Sequence, residues 1–173
     1  MKRALISVSD KRGLKKFTSD LSGLGIEIIA TEGTAREISR NGIPVSHVSE
    51  LTGFSEMLGG RIKTLHPEVH AAIATGEITM IVVNLIPMSS IESMDIGGVA
   101  LLKSAIKNFR SVAAVTDPDQ YGGVIEEIRD TGDVSPETRL ALAIRASAYI
   151  VEYESKAGKL LEGMRLDLES STA

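Results

Sequence analysis

The chain has 173 residues, 43% of them hydrophobic, which is the size of one domain with enough apolar residues for a packed core. A formal net charge of -4, 3% aromatic residues and no Trp argue against a protein that wraps nucleic acid. The lack of Cys excludes disulfides, thiolate metal sites and Cys nucleophiles, and the lack of a signal peptide or of an apolar run of about 18 residues predicts a cytoplasmic protein with no membrane span.

The first part of the chain contains two strand–loop–helix units. Residues 4–8 form an apolar run typical of a buried strand, and the helix after it, with Ser9 or Asp10 as its predicted N-cap, ends at Gly25. Residues 27–30 predict a second strand, followed by a helix that closes at Gly42. In both units small hydroxyl side chains stand between a strand and a helix N-terminus, where they serve either as a phosphate cradle or as simple helix caps.

A short third strand, predicted at residues 45–48, leads into a glycine- and cation-rich stretch at residues 53–70. This stretch has no period of 2 or 3.6, which predicts a loop. Its glycines offer backbone N–H groups, Arg61 offers a planar fork and Lys63 a mobile point charge, so the loop has the parts to hold an anionic substrate and to move a proton. The alternative is a solvated surface loop with a Pro-terminated turn.

The rest of the chain continues to alternate strands and helices. Residues 80–85 are the most apolar run and predict a central strand, and residues 112–116 predict another. Helices are predicted at residues 99–108 and 124–129. A last helix is predicted from Ser135-Pro136 to about residue 156, with one stripe formed by Leu140, Ile144, Ser147 and Val151.

This alternation predicts an α/β fold with a mostly parallel sheet and right-handed crossovers. Ligands of such sheets bind outside the carboxyl ends of the strands, and polar residues follow most of the predicted strands here. We therefore expect one rim that suits a phosphate ester better than a metal ion, formed by Ser7, Ser9, Lys11, Thr31, Gly33, Thr34, Asn84, Thr116 and Asp117. We expect one domain over residues 1–160, followed by a polar C-terminal tail at residues 161–173.

Several runs in the sequence are specific enough to indicate a family. In chain order they are Ser7-Val8-Ser9-Asp10-Lys11, Thr31-Glu32-Gly33-Thr34-Ala35-Arg36, Leu51-Thr52-Gly53-Phe54, Gly60-Arg61-Ile62-Lys63-Thr64-Leu65-His66-Pro67, Asp95-Ile96-Gly97-Gly98 and Ala105-Ile106-Lys107-Asn108. Over residues 3–155 the chain resembles the inosine monophosphate (IMP) cyclohydrolase domain of the bifunctional purine biosynthesis proteins, which combine a formyltransferase with this cyclohydrolase. The resemblance implies a methylglyoxal-synthase-like fold, a Rossmann-like three-layer sandwich.

The resemblance also implies an activity. The carboxamide nitrogen of 5-formamidoimidazole-4-carboxamide ribonucleotide attacks its own formyl carbon, water leaves, and the purine ring of IMP closes. The family implies no metal and no cofactor, a homodimer, and neither a nucleic-acid nor a membrane partner. Residues 160–173 are too few for the formyltransferase domain, so we expect either a stand-alone cyclohydrolase, supplied by a separate formyltransferase, or an excised domain.

The roles implied for individual residues follow from the matching motifs. Lys63 is the proton donor or oxyanion partner, Asp95 orients or deprotonates, and Lys107 is a second cation near the reacting amide. Asn84 joins these catalytic residues by holding the substrate. The implied substrate-binding residues are Ser7, Ser9, Lys11, Thr31, Gly33, Thr34, Arg61, Thr64, Ile96, Gly97 and Gly98. Because a straight helix from Gly98 puts Lys107 about 13 Å from its start, Lys107 shares a pocket with Asp95 only if the helix packs side-on to it, or else serves a pocket shared with a second subunit.

The sequence departs from the family at three positions. Ile86 stands where the family has a Tyr considered part of the catalytic site, so that role is dispensable, or water or Tyr121 takes it over, or the activity is weak. Glu32 replaces a Gly beside the phosphate loop, and we expect its side chain to point away; Phe109 replaces a His. Two other functions stay open: a non-catalytic nucleotide- or phosphate-sensing module, and methylglyoxal synthase, which has no use for the Arg-x-Lys-Thr-Leu-His-Pro motif.

Overall fold

The computed structural model describes residues 2–54 and 64–171, with side chains described through residue 165. The strands are β1 (Arg3–Val8), β2 (Glu27–Ala30), β3 (Ser46–His47), β4 (Met80–Asn84) and β5 (Ala113–Val115). The helices are α1 (Leu14–Gly23), α2 (Glu32–Arg40), α3 (Val48–Thr52), α4 (Pro67–Ala74), α5 (Ile96–Lys107), α6 (Tyr121–Thr131) and α7 (Pro136–Ser171). Short 3₁₀ turns lie at Ile91–Ser93 and Pro118–Gln120.

The five strands form one parallel sheet in the order β3-β2-β1-β4-β5. The chain first adds β2 and β3 on one side of β1, then returns to add β4 and β5 on the other side. The strand order therefore reverses between β1 and β4, which pair from Ala4–Met80 to Val8–Asn84. A reversal of this kind opens a crevice at the carboxyl ends of the strands. The predicted α/β fold with a parallel sheet is confirmed.

Helices cover both faces of the sheet and complete the three layers. One face packs against α1, α2 and α6 through a hydrophobic cluster that includes Phe17 and Val124. The other face packs against α4, α5 and α7 through a second cluster that includes Leu101 and Ile150. Every residue of β4 is buried, as expected of a parallel strand covered on both sides.

Two helices differ from the prediction. The helix α3 begins at Val48, the last residue of the predicted third strand, and α4 begins within the predicted loop. Within the predicted loop at residues 53–70, Pro67 takes the first position of α4 and His66 is its N-cap. The His66 ring nitrogen accepts a hydrogen bond from the Glu68 N–H at 3.3 Å. With only eight residues, α4 is too short for its apolar positions to establish a visible period. Residues 55–63 of the loop lie outside the described residues.

The start of α1 also differs from its prediction. Its N-cap is Gly13 in the left-handed conformation, with φ of 67°, and not Ser9 or Asp10. Glycine adopts this conformation at little steric cost. The Asp10 carboxylate instead accepts a hydrogen bond from the Arg12 N–H at 2.9 Å and lies 2.7 Å from Arg12 Nε. The prediction of a Ser or Asp cap was therefore wrong.

The last helix, α7, is longer than predicted and turns its aliphatic stripe away from the sheet. Ile144 and Val151 are 62% and 65% exposed, whereas Ala146 and Ile150 are buried against α5 and β5. Small residues on this second face allow the helix to approach the sheet closely. The helix passes residue 160 without a break, and the domain boundary placed there stays a prediction. Among the described residues, no helix combines the length and apolarity needed to cross a bilayer.

Candidate active site

A cavity of about 620 Å³ lies at the carboxyl ends of β1, β2 and β4, beside the N-termini of α2 and α5. It brings together most of the site residues predicted from the sequence: Ser7, Ser9, Lys11, Thr31, Gly33, Thr34, Thr64, Asn84, Asp95, Ile96, Gly97 and Gly98. Arg61 and Lys63 lie outside the described residues. Within the described ranges, no group of three or more His, Asp or Glu side chains is placed to hold a metal ion.

The N-terminus of α2 forms one wall of this cavity. Thr31 is its N-cap residue, but the Thr31 hydroxyl donates to Ser7 Oγ at 3.3 Å and does not cap the helix. The first backbone N–H groups of α2 therefore receive no hydrogen bond from the Thr31 side chain. Gly33, in this first turn, lines the cavity. A helix terminus in this state attracts an anion through its N–H groups and its dipole.

The Lys11 ammonium group lies beside the N-terminus of α2. Thr34 is 1% exposed, and its hydroxyl oxygen accepts hydrogen bonds from the Val8 N–H at 3.3 Å and from Lys11 Nζ at 3.1 Å. Lys11 also donates to the Val8 carbonyl. Glu32, in the first turn of α2, lies 2.7 Å from His47 Nδ1 and does not line the cavity. The arrangement places positive charge at the α2 end of the cavity, while the Glu32 carboxylate contacts His47 instead.

Asp95 is held at the N-terminus of α5. Its Oδ1 accepts a hydrogen bond from the Gly98 N–H at 2.8 Å, and its Oδ2 accepts one from the Ile86 N–H at 3.3 Å. A Cβ built on Gly98 would lie 2.7 Å from Asp95 Oδ2, and one built on Gly97 would lie 2.7 Å from Thr64 Oγ1. The two glycines are thus what allows Asp95 and Thr64 to approach this helix so closely.

The amide of Asn84 is engaged by the backbone of the β1–α1 loop. Its Oδ1 accepts hydrogen bonds from the Ser9 N–H at 2.5 Å and the Asp10 N–H at 2.8 Å, and its Nδ2 donates to the Asp10 carbonyl at 3.0 Å. Asn84 therefore fixes the loop that carries Ser9. Its contact with a substrate, implied by the resemblance, stays a prediction.

We expect Asn84→Ala to lower the free energy of unfolding by about 2–4 kcal/mol, because the Ser9 and Asp10 N–H groups lose their acceptor in a partly buried site. Urea denaturation measures the change. Asn41→Ala is the matched control: among the described residues the Asn41 side chain makes one hydrogen bond, to the Glu37 carbonyl, so its loss should cost about 1 kcal/mol or less. Equal losses in the two variants would show that Asn84 does not hold the loop.

Lys107 lies at the far end of α5 from the cavity. It is exposed and is the last of the 12 residues of the helix, whose first residues, Ile96, Gly97 and Gly98, line the cavity. At 1.5 Å per residue, Lys107 is about 16 Å from Ile96 along the helix axis. A side-on packing of α5 against the cavity, one of the two arrangements considered from the sequence, is not what the structure has. A single chain therefore does not bring Lys107 to Asp95.

Tyr121 does not supply the hydroxyl missing at Ile86. Its ring stacks on Phe17 at 4.1 Å between centroids, in the layer of α1 and α6, and it does not line the cavity. Burial, aided by the nearby charges of Asp10 and Asp117, raises the pKa of Tyr121 to about 12. Ile86 itself does line the cavity and is 48% exposed.

Two tyrosines of α7 that sequence analysis did not single out lie close to the site. The Tyr149 hydroxyl accepts a hydrogen bond from the Leu85 N–H at 2.9 Å, and the Tyr153 hydroxyl accepts one from the Asp95 N–H at 2.8 Å. Their spacing of four residues puts both on one face of the helix, and this spacing was the feature of the sequence that could have pointed to them.

His70, in α4, contacts both α5 and the backbone of Thr64, the first described residue after residues 55–63. Its Nδ1 lies 2.7 Å from Ser104 Oγ on α5. Burial lowers the pKa of His70, and a hydrogen bond with the Thr64 backbone opposes that shift. Since Thr64 is 2% exposed and lines the cavity, His70 ties this part of the wall to both α4 and α5.

Two protein families match the chain. The family described as "MGS-like domain" matches residues 13–109, and the family described as "AICARFT/IMPCHase bienzyme" matches residues 105–172. The crystal structure of ForH superposes with a TM-score of 0.82 at 31% sequence identity, covering 92% of this chain and 98% of that one.

Among curated relatives, the bifunctional purine biosynthesis protein PurH of Ruminiclostridium cellulolyticum is 40% identical over 197 positions, covering 98% of this chain and 38% of that protein. PurH of Persephonella marina is 37% identical, covering 92% of this chain and 36% of that protein. The chain thus spans a little over a third of the length of these relatives. Because 197 aligned positions exceed the 173 residues of the chain, the first relative carries residues in the matched region that this chain lacks.

Proposed function

The chain belongs to the MGS-like domain family, and on that premise we propose that it is an IMP cyclohydrolase, which converts 5-formamidoimidazole-4-carboxamide ribonucleotide to IMP. The observation that carries the proposal is one cavity that joins an anion-attracting helix terminus to a fixed carboxylate, Asp95. The match of residues 105–172 to the AICARFT/IMPCHase family and the similarity to the PurH proteins support the same activity.

The phosphate of the nucleotide binds at the N-terminus of α2 in this proposal. The helix dipole and Lys11 both favour a dianion there. A Cβ built on Gly33 would have no atom within 4 Å, so the space above this residue is open to a phosphate oxygen. The Ser7 and Ser9 hydroxyls line the same end of the cavity and donate hydrogen bonds to the phosphate, while the Thr31 hydroxyl donates to Ser7 Oγ.

The chemistry takes place at the α5 end. Holding the carboxamide nitrogen against the formyl carbon supplies much of the catalysis, because the attack is intramolecular. Asp95 orients that nitrogen or accepts its proton, and two backbone N–H groups keep the carboxylate in place. The formyl oxygen then leaves as water, which needs a proton donor; we assign this to Lys63, which directly precedes the cavity residue Thr64 in the chain.

Lys107 takes part through a homodimer in this proposal, by reaching the cavity of a second copy. The exposed aliphatic stripe of α7, which consists of Leu140, Ile144 and Val151, supports an association of this kind. A separate formyltransferase supplies the substrate, and the enzyme works in the cytoplasm.

We expect Ile144→Glu to convert a homodimer into monomers at micromolar concentration, because it puts a charge in the middle of the exposed stripe, where Ile144 is 62% exposed. Sedimentation velocity measures the change. Ala141→Glu is the matched control: Ala141 is exposed on the same helix but lies about a quarter turn from the stripe. A wild-type chain that sediments as a monomer, or dissociation by both variants alike, would contradict the use of this stripe.

The test of function is the absorbance change when the purified protein is mixed with the formylated imidazole carboxamide ribonucleotide, without added metal. Enzyme-dependent formation of IMP, lost in Lys63→Ala, is the expected result. Saturable nucleotide binding without turnover would favour the second candidate, a nucleotide-sensing module. That candidate draws support from Ile86, which lines the cavity with no hydroxyl to offer.

A further inference from the structure

A closed ring of hydrogen bonds joins the two ends of the segment between β4 and α5, here called the 86–95 segment. The Tyr153 hydroxyl donates to the Ile86 carbonyl at 3.0 Å and accepts from the Asp95 N–H at 2.8 Å. The Asp95 Oδ2 accepts from the Ile86 N–H at 3.3 Å and completes the ring. One side chain from a distant helix thus binds the backbone at both ends of the segment.

The 86–95 segment is also a wall of the cavity. Its lining residues are Ile86, Ile91, Glu92, Ser93, Met94 and Asp95. Tyr153 does not line the cavity and is 8% exposed, packed in the hydrophobic layer of α5 and α7. Its hydroxyl therefore acts on the site only through the backbone that it holds.

We propose that Tyr153 is a positioning residue for the Asp95 carboxylate. The inference rests on the proposed function only in assigning a reaction to Asp95, and its structural part stands without that reaction. The carboxylate oxygens of Asp95 accept hydrogen bonds from the Gly98 and Ile86 N–H groups. The backbone N–H of Asp95 donates to the Tyr153 hydroxyl. Loss of the Tyr153 hydroxyl removes the hydrogen bonds to the Asp95 N–H and to the Ile86 carbonyl. The Ile86 N–H, which bonds to the Asp95 carboxylate, then lies in backbone that is no longer held by Tyr153.

The protonation state of Tyr153 suits this task. Burial and the neighbouring Asp95 charge raise the pKa of Tyr153, although its bond from the Asp95 backbone opposes the shift. The hydroxyl stays neutral through the range in which enzymes are assayed, so that it donates to one group and accepts from another at the same time. Phenylalanine at this position keeps the ring in the core and loses both bonds.

The first arm of the test measures amide hydrogen exchange in Tyr153→Phe by NMR. The informative groups are the Ile86 and Gly98 N–H groups, which bond to the Asp95 carboxylate and not to Tyr153. Both should exchange about tenfold faster or more if the carboxylate loses its fixed position. Tyr149→Phe is the matched control, one turn earlier on α7; it loses the acceptor of the Leu85 N–H and should leave both of those groups unchanged. Unchanged exchange at Ile86 and Gly98 in Tyr153→Phe would overturn the proposal.

The second arm measures turnover. In Tyr153→Phe we expect kcat to fall roughly 10- to 100-fold with KM changed by less than about threefold, because the phosphate end of the cavity is built on other elements. In an Asp95→Asn background the same substitution should cause no further loss, since Tyr153 acts through Asp95. Losses that multiply would overturn the proposal. If the wild-type protein has no turnover, the proposed function fails, and the exchange arm still decides the role of Tyr153.

Discussion

Lys63→Ala is expected to abolish measurable turnover while leaving the fold intact. The departing formyl oxygen must be protonated, and removal of a general acid typically costs 10²- to 10⁴-fold in rate, to which the loss of a cation beside the developing oxyanion adds. Lys63 lies outside the described residues, so the expectation rests on its motif and on its place directly before Thr64, a cavity residue. Initial rates of IMP formation provide the measurement.

Lys15→Ala is the control for that experiment. Lys15 is exposed on α1 and does not line the cavity, so its loss removes the same charge from the protein without touching the site. Thermal unfolding of both variants should match that of the wild type within a few degrees, because surface substitutions change stability little. Near-normal turnover in Lys63→Ala would remove this residue from the mechanism.

Gly98→Ala is expected to reduce kcat by about 100-fold or more and to lower the free energy of unfolding by about 1–3 kcal/mol. The added methyl group would lie 2.6 Å from Leu85 Cδ2 and 2.7 Å from Asp95 Oδ2. The Asp95 carboxylate therefore has to leave its position at the helix N-terminus. Steady-state kinetics and urea denaturation measure the two effects.

The chain offers a matched control for this glycine. Gly123 takes the third position of α6, as Gly98 takes the third position of α5, and each follows another glycine. A Cβ on Gly123 would have no atom within 4 Å. Gly123→Ala should raise stability by about 0.5–1 kcal/mol through helix propensity and leave kcat unchanged. If Gly98→Ala kept full activity, the tight packing around Asp95 would have no role in catalysis.

Much of the fold could be read from the sequence because its strands are buried on both faces and stand out as short apolar runs. The second strand was predicted at the bounds that the structure gives to β2, and β1 and β4 differ by one residue. The helix α4 could not be read in this way, since eight residues give an apolar period too little length to show. Its start did carry a signal, a Pro at the first helical position, that the glycine- and cation-rich residues before it obscured.

Most residues that line the cavity could be predicted from the sequence, and their individual contacts could not. Polar residues at the carboxyl ends of adjacent parallel strands lie at one edge of the sheet, and Ser7, Thr31 and Asn84 line one cavity there. Thr116 and Asp117, which follow the outer strand β5, do not line it. Which atoms each side chain contacts depends on packing that no short motif encodes. The bonds of Asn84 to the β1–α1 loop and of Tyr153 to Asp95 join residues 74 and 58 positions apart in the chain.

The sequence did not show which face of α7 packs on the sheet. Its aliphatic residues form a clear stripe, yet the face that packs on the sheet carries Ala146, Ile150 and Tyr153. Helical spacing shows that two faces exist, but it does not show which one meets the core. The buried face combines alanines such as Ala146 with the larger Ile150 and Tyr153, whereas the stripe with Ile144 and Val151 remains exposed.

The sheet divides the protein into two cores, and no buried side chain of the described residues belongs to both. The residues of α2 at one end of the cavity, such as Ala35, belong to the first core, and residues of α5 and α7 near Asp95, such as Leu101 and Tyr153, belong to the second. The effect of a substitution in one core reaches the other through the backbone of the strands and through α7, which contributes Leu142 to the first core and Ile150 to the second. A protein of this build can therefore change the α5–α7 layer beside Asp95 while the α2 end of its cavity keeps its structure.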